Sequence, residues 1–174
     1  MVLTAMRQLA IKRSGYHMSI ISPEQFEMLL PLACAWAEEQ ERTILRDGVP
    51  LTAVQVIDAK RVGVSHPEQV RLLSVSNIPI PEHPALRAAA KDTQLITPFT
   101  LGMTLRYGIF IRSDYWSDHY IIVHELVHTS QYERLGGFQG FLWQYLHECI
   151  NIGYPEAPME QEAIMKAERL CESA

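Results

Sequence analysis

Residues 124–128 read His-Glu-Leu-Val-His, the pattern H-E-x-x-H, inside a run of apolar residues that predicts a buried helix. On a helix, residues four apart lie on the same face, so His124 and His128 can reach one metal ion while Glu125 projects beside them. A buried imidazole is costly unless a partner or a metal satisfies its nitrogens. The motif therefore predicts a zinc site. The alternative is that no metal is bound and that both histidines are core residues satisfied by hydrogen bonds.

Two histidines do not complete such a site, because catalytic zinc usually takes three protein ligands and leaves a fourth position for water. One family of zinc enzymes extends the motif with x-x-G-x-x-H. That extension is absent here, since Gln131 and Arg134 occupy its glycine and histidine positions. A later segment offers two carboxylates instead, Glu160 and Glu162.

The periodicity of the last helix separates these two glutamates. At about 100° per residue, Glu160 falls near the centre of an apolar stripe, whereas Glu162 lies on the far side, four residues before Lys166. The stripe consists of Met159, Ala163, Ile164, Ala167, Leu170 and Cys171. A carboxylate within a buried stripe is unfavourable unless it is paired or binds a cation, so Glu160 is the predicted third ligand. The alternative is a carboxylate stabilised by the dipole at the helix start.

At these positions the chain resembles the gluzincin peptidases, in which H-E-x-x-H on one helix is joined by a glutamate from a following helix. It is also similar to a group of bacterial zincin-like proteins with H-E-L-x-H-x-x-Q followed by E-x-x-A, matched here by residues 124–131 and 160–163. The resemblance covers roughly the last third of the chain. It implies an α+β, zincin-like fold, mostly helical with a small sheet beside the H-E-x-x-H helix, and Zn2+ as the cofactor.

The chain departs from the gluzincin pattern at Ile164. Many gluzincins carry an acidic residue at this position, which orients one of the motif histidines, so that support has to come from elsewhere. Gln131 is a candidate, because it shares one helix face with His124 and His128. The alternative for its amide is a set of ordinary core hydrogen bonds.

Together these residues predict a zinc-dependent hydrolase that cleaves peptide or amide bonds in a peptide or protein substrate. Glu125 is the expected general base, which takes a proton from the attacking water and delivers it to the leaving amine. Tyr145 and Tyr154 are candidates for stabilising an oxyanion, with plain packing as the alternative. The alternative function is a non-catalytic metal-binding protein, whose site is structural or regulatory and whose cleft binds a partner.

Directly before the helix that carries the H-E-x-x-H motif, referred to as the metal helix, residues 103–112 alternate in type with the period of a single β-strand. One set is Leu105, Tyr107, Ile109 and Ile111, and the other is Thr104, Arg106, Gly108, Phe110 and Arg112. The resemblance implies that this strand borders the cleft and pairs with an extended peptide through its open edge. An ordinary interior strand is the alternative. Arg106 and Arg112 either meet a substrate carboxylate or lie exposed.

Capping residues and periodicity predict the remaining elements. They are helices over 22–48, 51–62, 84–91 and 138–149 and a strand over 69–75. The first helix has Ser22 as its N-cap and Pro23 at its first position, and Pro31 is expected to kink or divide it. Gly63 is expected to end the second helix.

The 174 residues suffice for one domain over 1–174, with a scaffold in 1–100 and the strand, metal helix and glutamate-bearing helix in 101–174. The net charge of -5 and the lack of a basic stripe argue against nucleic acid as a partner. No segment has the length of a membrane span, and residues 1–18 lack the apolar stretch of a signal peptide, so a cytoplasmic protein is expected. The three cysteines fit no zinc or disulfide framework and are predicted to be buried free thiols.

Overall fold

The computed structural model describes residues 21–93 and 95–172. Its helices are α1 (Pro23–Asp47), α2 (Ala53–Val62), α3 (Pro84–Thr93), α4 (His119–Arg134), α5 (Phe138–Asn151) and α6 (Pro158–Glu172). Its strands are β1 (Val49–Pro50), β2 (Arg71–Val75), β3 (Gly102–Leu105) and β4 (Gly108–Arg112). The described residues are therefore mostly helical with one small sheet, which confirms the predicted α+β class.

The sheet has the strand order β1-β2-β4-β3, which makes β4 an interior strand and β3 an edge strand. β2 runs parallel to β4 with Leu72 opposite Ile109, whereas β1 and β3 are antiparallel to their neighbours. Residues 108–111 of β4 are all buried, as expected for a strand covered on both faces. The edge strand β3 packs against α4, the helix that carries the H-E-x-x-H motif.

The single strand predicted before α4 is wrong, because the chain reverses direction within it. β3 and β4 form a hairpin in which Leu105 pairs with Gly108, and Arg106 adopts the left-handed conformation with a φ of 59°. The turn is held by α1. The Glu41 carboxylate accepts hydrogen bonds from the Arg106 guanidinium at 2.9 and 2.8 Å and from the Tyr107 backbone N–H at 3.1 Å. Because Glu41 belongs to a distant segment, the residues around Arg106 and Tyr107 carry no local sequence pattern that predicts this turn.

The hairpin also changes which side chains share a face of the sheet. In one continuous strand, Leu105 would lie on the same face as Ile109 and Ile111. In the hairpin, Leu105 lies on the same side as Phe110, and Ile109 and Ile111 share the other side with Thr104. Because β4 is apolar on both faces, the alternation of residue types does not mark this change of phase.

Two hydrophobic cores lie on the two sides of the sheet. The first packs the sheet against α2, α4 and α6 through Leu72, Ile109, Ile111, Ala59, Ile122, Val123, Leu126, Val127, Ala163 and Ala167. The second packs it against α1 and α5 through Leu105, Phe110, Ala37, Ile44, Phe138 and Phe141. The helix α4 contributes to both cores, since Tyr132 near its end belongs to the second. This burial fixes the rotation of α4 and therefore the direction of its histidines.

The predicted helix boundaries are close to the observed ones. α1 begins with the capping box of Ser22 and Gln25, and α2 ends at Gly63, whose φ is 101°. Of the two outcomes predicted for Pro31, a kink or a division, the division does not occur, because α1 is one continuous helix over Pro23–Asp47. Pro31 and Glu27 both lie on the exposed side of the helix, where water can bond the Glu27 carbonyl that loses its partner.

None of the helices within residues 21–93 and 95–172 is long and apolar enough to cross a membrane. The prediction that residues 1–18 contain no signal peptide lies outside the described residues. Cys34, Cys149 and Cys171 are free thiols, as predicted. The prediction that all three are buried is wrong, because only Cys149 is buried and the other two are partly exposed.

Replacing Glu41 should show how strongly the β3–β4 turn depends on α1. Glu41→Ala removes a buried carboxylate and leaves a backbone N–H and a guanidinium without their acceptor, so we expect the free energy of unfolding to fall by about 2 kcal/mol. Urea unfolding followed by circular dichroism measures this loss. Asp47→Ala, which breaks the exposed ion pair with Arg46, should leave stability nearly unchanged. Equal losses in the two variants would contradict the assignment.

Candidate metal centre

The two motif histidines lie one above the other on α4. Asp118 caps the helix by accepting a hydrogen bond from the backbone N–H of Ile121. His124 Nε2 and His128 Nε2 are 3.1 Å apart, with the two rings nearly perpendicular at 78°. His128 is only 6 % exposed. Both imidazoles therefore present the same nitrogen to one small volume.

Glu160 in the first turn of α6 completes the cluster. Its Oε2 lies 3.4 Å from His124 Nε2, and its Oε1 lies 3.3 Å from His128 Nε2. The carboxylate is 2 % exposed, which agrees with the inward direction predicted from helical phase. One ligand atom from each of the three side chains lies within 4.8 Å of the others. The structure thus brings together the three residues that the sequence predicts as metal ligands.

Glu162 points away from the cluster, also as predicted. Its carboxylate pairs with Lys166 at 2.9 Å, the expected contact between residues four apart on a helix. It also accepts two hydrogen bonds from the Arg134 guanidinium at the end of α4. These partners hold the pKa of the Glu162 carboxyl well below its ordinary value, with the Arg134 hydrogen bonds as the largest contribution. Glu162 therefore joins α4 to α6 outside the cluster.

The electrostatics of the cluster suit a cation. Burial by itself disfavours a charged His128, but the neighbouring Glu160 carboxylate outweighs it and raises the pKa of His128 to about 9. Burial would likewise raise the pKa of Glu160, yet the two imidazoles hold it well below its ordinary value. The buried carboxylate is therefore negative and requires positive charge beside it.

Two buried polar atoms of the cluster, Glu160 Oε2 and His124 Nδ1, have no hydrogen-bond partner in the described part of the chain. An unpartnered oxygen beside two imidazole nitrogens is an acceptor set that fits a metal ion, and two histidines with one carboxylate are a ligand set that zinc commonly takes. The apolar Ile164 side chain supplies no hydrogen-bond acceptor for His124 Nδ1.

Gln131 supports the other histidine. Its side-chain Nε2 donates to the Met159 backbone carbonyl at 2.9 Å and to Glu162 at 3.0 Å, so its Oε1 must face His128. That oxygen accepts a hydrogen bond from His128 Nδ1 at 2.8 Å. The contact fixes which nitrogen carries the proton and leaves His128 Nε2 directed at the cluster. Gln131 thus has both of the roles left open for it, since its oxygen contacts the histidine and its amide nitrogen makes core hydrogen bonds.

Tyr145 from α5 supports Glu160. Its hydroxyl donates to Glu160 Oε1 at 2.6 Å, and its ring contacts the edge of His128 with centroids 5.7 Å apart. Burial, reinforced by Glu160, raises the pKa of Tyr145 well above its ordinary value, so the hydroxyl keeps its proton and can donate. Tyr145 therefore positions a predicted ligand, whereas Tyr154 lies half exposed in the loop before α6.

Glu125 lies beside the cluster, against the edge strand β3. It is 6 % exposed, and the Thr104 hydroxyl lies 2.7 Å from its Oε2 and 2.9 Å from its backbone oxygen. Gly102, on the same face of β3, leaves room for this carboxylate, because a Cβ atom there would lie 2.6 Å from Glu125 Oε1. No contact of Gly102 or Thr104 with Glu125 was predicted from the sequence. The hairpin phase of β3 is the signal that would have identified them.

The two arginines considered for substrate binding are already paired. Arg106 contacts Glu41, and the Arg112 guanidinium contacts Asp114 at 2.7 and 3.1 Å. Arg112 also donates to the backbone oxygen of Pro98. Both side chains therefore fix loops and turns around the sheet, and neither contacts the cluster through these bonds.

Removing the support of Gln131 should weaken metal binding without removing a ligand. Gln131→Leu leaves His128 Nδ1 without its acceptor, so we expect zinc affinity to fall by about tenfold or more. Competition with a chelating dye measures the affinity. Gln139→Leu on the exposed side of α5 is the matched control and should bind zinc normally. Unchanged affinity in the correctly folded Gln131 variant would contradict its role.

Comparisons with protein-family models, with curated proteins and with solved structures found no match to this chain. The candidate metal centre is therefore defined by its own residues alone. These are His124, His128 and Glu160, whose side chains converge, and Gln131 and Tyr145, which orient two of them.

Proposed function

We propose that this chain is a zinc-dependent hydrolase of peptide or amide bonds, with a zincin-like fold of the gluzincin type. The observation that carries the proposal is the meeting of His124, His128 and Glu160 in one buried cluster with Glu125 beside it. Peptides or proteins are the proposed substrates. The H-E-x-x-H motif and the downstream glutamate give the same assignment from the sequence.

His124, His128 and Glu160 would hold the metal, and the buried oxygen of Glu160 that lacks a hydrogen-bond partner supports this choice. When bound, zinc supplies Lewis-acid chemistry and lowers the pKa of water toward about 7. Gln131 and Tyr145 keep two of the three ligands in fixed orientations, which reduces the reorganisation that binding requires.

The chemistry assigned to the chain itself is proton transfer by Glu125. Its carboxylate accepts the proton of the attacking water and later donates it to the leaving amine. The Thr104 hydroxyl bonds Oε2, so Oε1, which faces the backbone of Gly102, is the oxygen left for this transfer. The same contact ties the base to strand β3.

The edge of β3 is the proposed binding surface for an extended peptide. β3 ends the sheet in the described part of the chain, so its outer backbone groups are available to another strand. Because Glu125 contacts two residues of β3, a peptide paired there would lie next to the base. The predicted role of this strand in substrate binding thus applies to residues 102–105 alone.

The burial of Glu125 favours a second candidate function, a non-catalytic protein in which the metal ties α4 to α6. A carboxylate that is 6 % exposed and bonded by Thr104 has little access to a substrate unless β3 moves. A peptide-library digest of the zinc-loaded chain, with a chelator control, separates the two functions. Cleavage that the chelator abolishes supports the hydrolase, and no cleavage by the zinc-loaded chain supports the structural role.

Replacing the base should separate catalysis from metal binding. Glu125→Gln keeps the shape of the side chain but removes the proton acceptor, so we expect hydrolysis to fall by about a hundredfold or more while about one zinc per chain stays bound. Peptide cleavage and elemental analysis provide the two measurements. The control Glu27→Gln, on the exposed side of α1, should retain full activity. Full activity of the Glu125 variant would rule out the proposed base.

The two glutamates of α6 provide a matched test of the ligand assignment. Glu160→Gln should lower zinc affinity by more than the tenfold to hundredfold range typical of an outer partner, because a ligand itself is weakened. Glu162→Gln should lower it by less than about tenfold, since Gln131 keeps the Met159 carbonyl as a partner. Isothermal titration with zinc measures both. Similar losses in the two variants, or no zinc uptake by the unmodified chain, would contradict the metal centre.

A further inference from the structure

A second cluster of chemically active side chains lies where α2, α4 and α6 meet, away from the metal ligands. Cys171 Sγ on α6 is 3.6 Å from His119 Nδ1 at the start of α4. The opposite nitrogen of that ring, Nε2, is 2.9 Å from the Asp58 carboxylate on α2. Three helices therefore place a thiol, an imidazole and a carboxylate in a row.

The hydrogen bonds in this row have one direction. A carboxylate only accepts, so His119 Nε2 carries the proton and donates it to Asp58. His119 Nδ1 then has a free electron pair facing Cys171 Sγ, and the thiol is the donor in that contact. Cys171, His119 and Asp58 are thus placed as nucleophile, base and orienting group, an order in which the base can activate the nucleophile.

Among the three groups the carboxylate is the most buried and the imidazole the most exposed. The Asp58 side chain is 6 % exposed, whereas the His119 side chain is 42 % exposed and Cys171 is partly exposed. The buried carboxylate accepts from His119 Nε2 and so restrains the orientation of the accessible imidazole ring. The exposed sides of His119 and Cys171 are accessible to a small reagent.

We propose that Cys171 is a thiol-exchange site, in which His119 acts as the base and Asp58 orients it, and that small disulfides are its reagents. His119 Nδ1 takes the thiol proton as Sγ attacks one sulfur of the disulfide. The disulfide bond breaks, a mixed disulfide forms on Cys171, and the departing thiolate takes the proton back from the imidazolium. Cys171 is thereby oxidised to the mixed disulfide, and the departing half of the small disulfide is reduced to a thiol.

The state of the thiol supports a dependence on His119. Burial, with the carboxylates of Asp58 and Asp118, raises the pKa of Cys171, so the group rests as a thiol and needs a base at the moment of attack. Cys149 is buried, and its pKa is raised to about 12, mainly by burial. Cys34 is partly exposed like Cys171 and serves as an internal reference.

The arrangement fits exchange better than metal binding. In the described part of the chain, the only group of three or more side chains placed to hold a metal is that of His124, His128 and Glu160. Asp58 bonds the ring nitrogen remote from Cys171, so it supports the imidazole and does not join the thiol as a ligand. Thiol–disulfide exchange needs a nucleophile and a base, which these residues supply.

The test is the rate of mixed-disulfide formation on the folded full chain with cystamine. This cationic disulfide is chosen because the carboxylates near Cys171 would repel an anionic reagent. Peptide mass spectrometry over time gives a separate rate for each cysteine. We expect Cys171 to react at least about tenfold faster than Cys34, and His119→Ala to remove that difference while the rate at Cys34 stays the same.

Two further measurements exclude a merely structural effect. Added imidazole should restore the Cys171 rate in His119→Ala, because the vacated site is accessible, and thermal unfolding should confirm that the variant is folded. Asp58→Asn should give an intermediate rate. Equal rates at Cys171 and Cys34 in the unmodified chain would overturn the proposal, as would a His119→Ala variant that is folded and reacts at the original rate.

Discussion

Glu160 is 2 % exposed, so its carboxylate loses almost all of its hydration when the chain folds. The negative charge is stabilised by the two imidazoles of α4 and by the Tyr145 hydroxyl of α5. The same charge raises the pKa of His128 to about 9, so in the absence of a metal a proton supplies the positive charge. Metal binding and protonation therefore compete for one buried carboxylate, since metal ligands must be deprotonated.

The part of the site that could be predicted from the sequence is the part determined by helical geometry. A spacing of four residues places His124 and His128 together on α4, and the apolar stripe of α6 separates Glu160 from Glu162. Both inferences need only a regular helix with one buried face. The capping box at Ser22 and the glycine that ends α2 were predictable for the same reason, because each depends on contacts within a few residues.

The remaining parts depend on contacts between distant segments. The β3–β4 turn is held by Glu41, which is 65 residues from Arg106 in sequence, and no turn-forming pair such as Asn-Gly marks it. Thr104 could be placed against Glu125 only after the hairpin phase was known. Tyr145 reaches Glu160 from another helix, and its periodicity alone is equally consistent with packing. Pro31 indicated a kink or division of α1, but it lies on the exposed side, where water can bond the Glu27 carbonyl, and the helix continues through it.

The two proposed sites lie along one antiparallel helix pair. His119 at the start of α4 contacts Cys171 near the end of α6, whereas Gln131 further along α4 contacts Met159 near the start of α6. Between these contacts the helices pack through small side chains of α6, since Ala163 and Ala167 are completely buried.

Small residues at a helix interface let the two backbones approach closely, and the reach of a glutamate side chain is short. Ala163 lies one turn after Glu160, so its size limits how far the carboxylate stands from His124 and His128. This gives a physical reason for the alanine three residues after Glu160 in this chain. A larger side chain there would move α6 away from α4 and separate the carboxylate from the imidazoles that stabilise it.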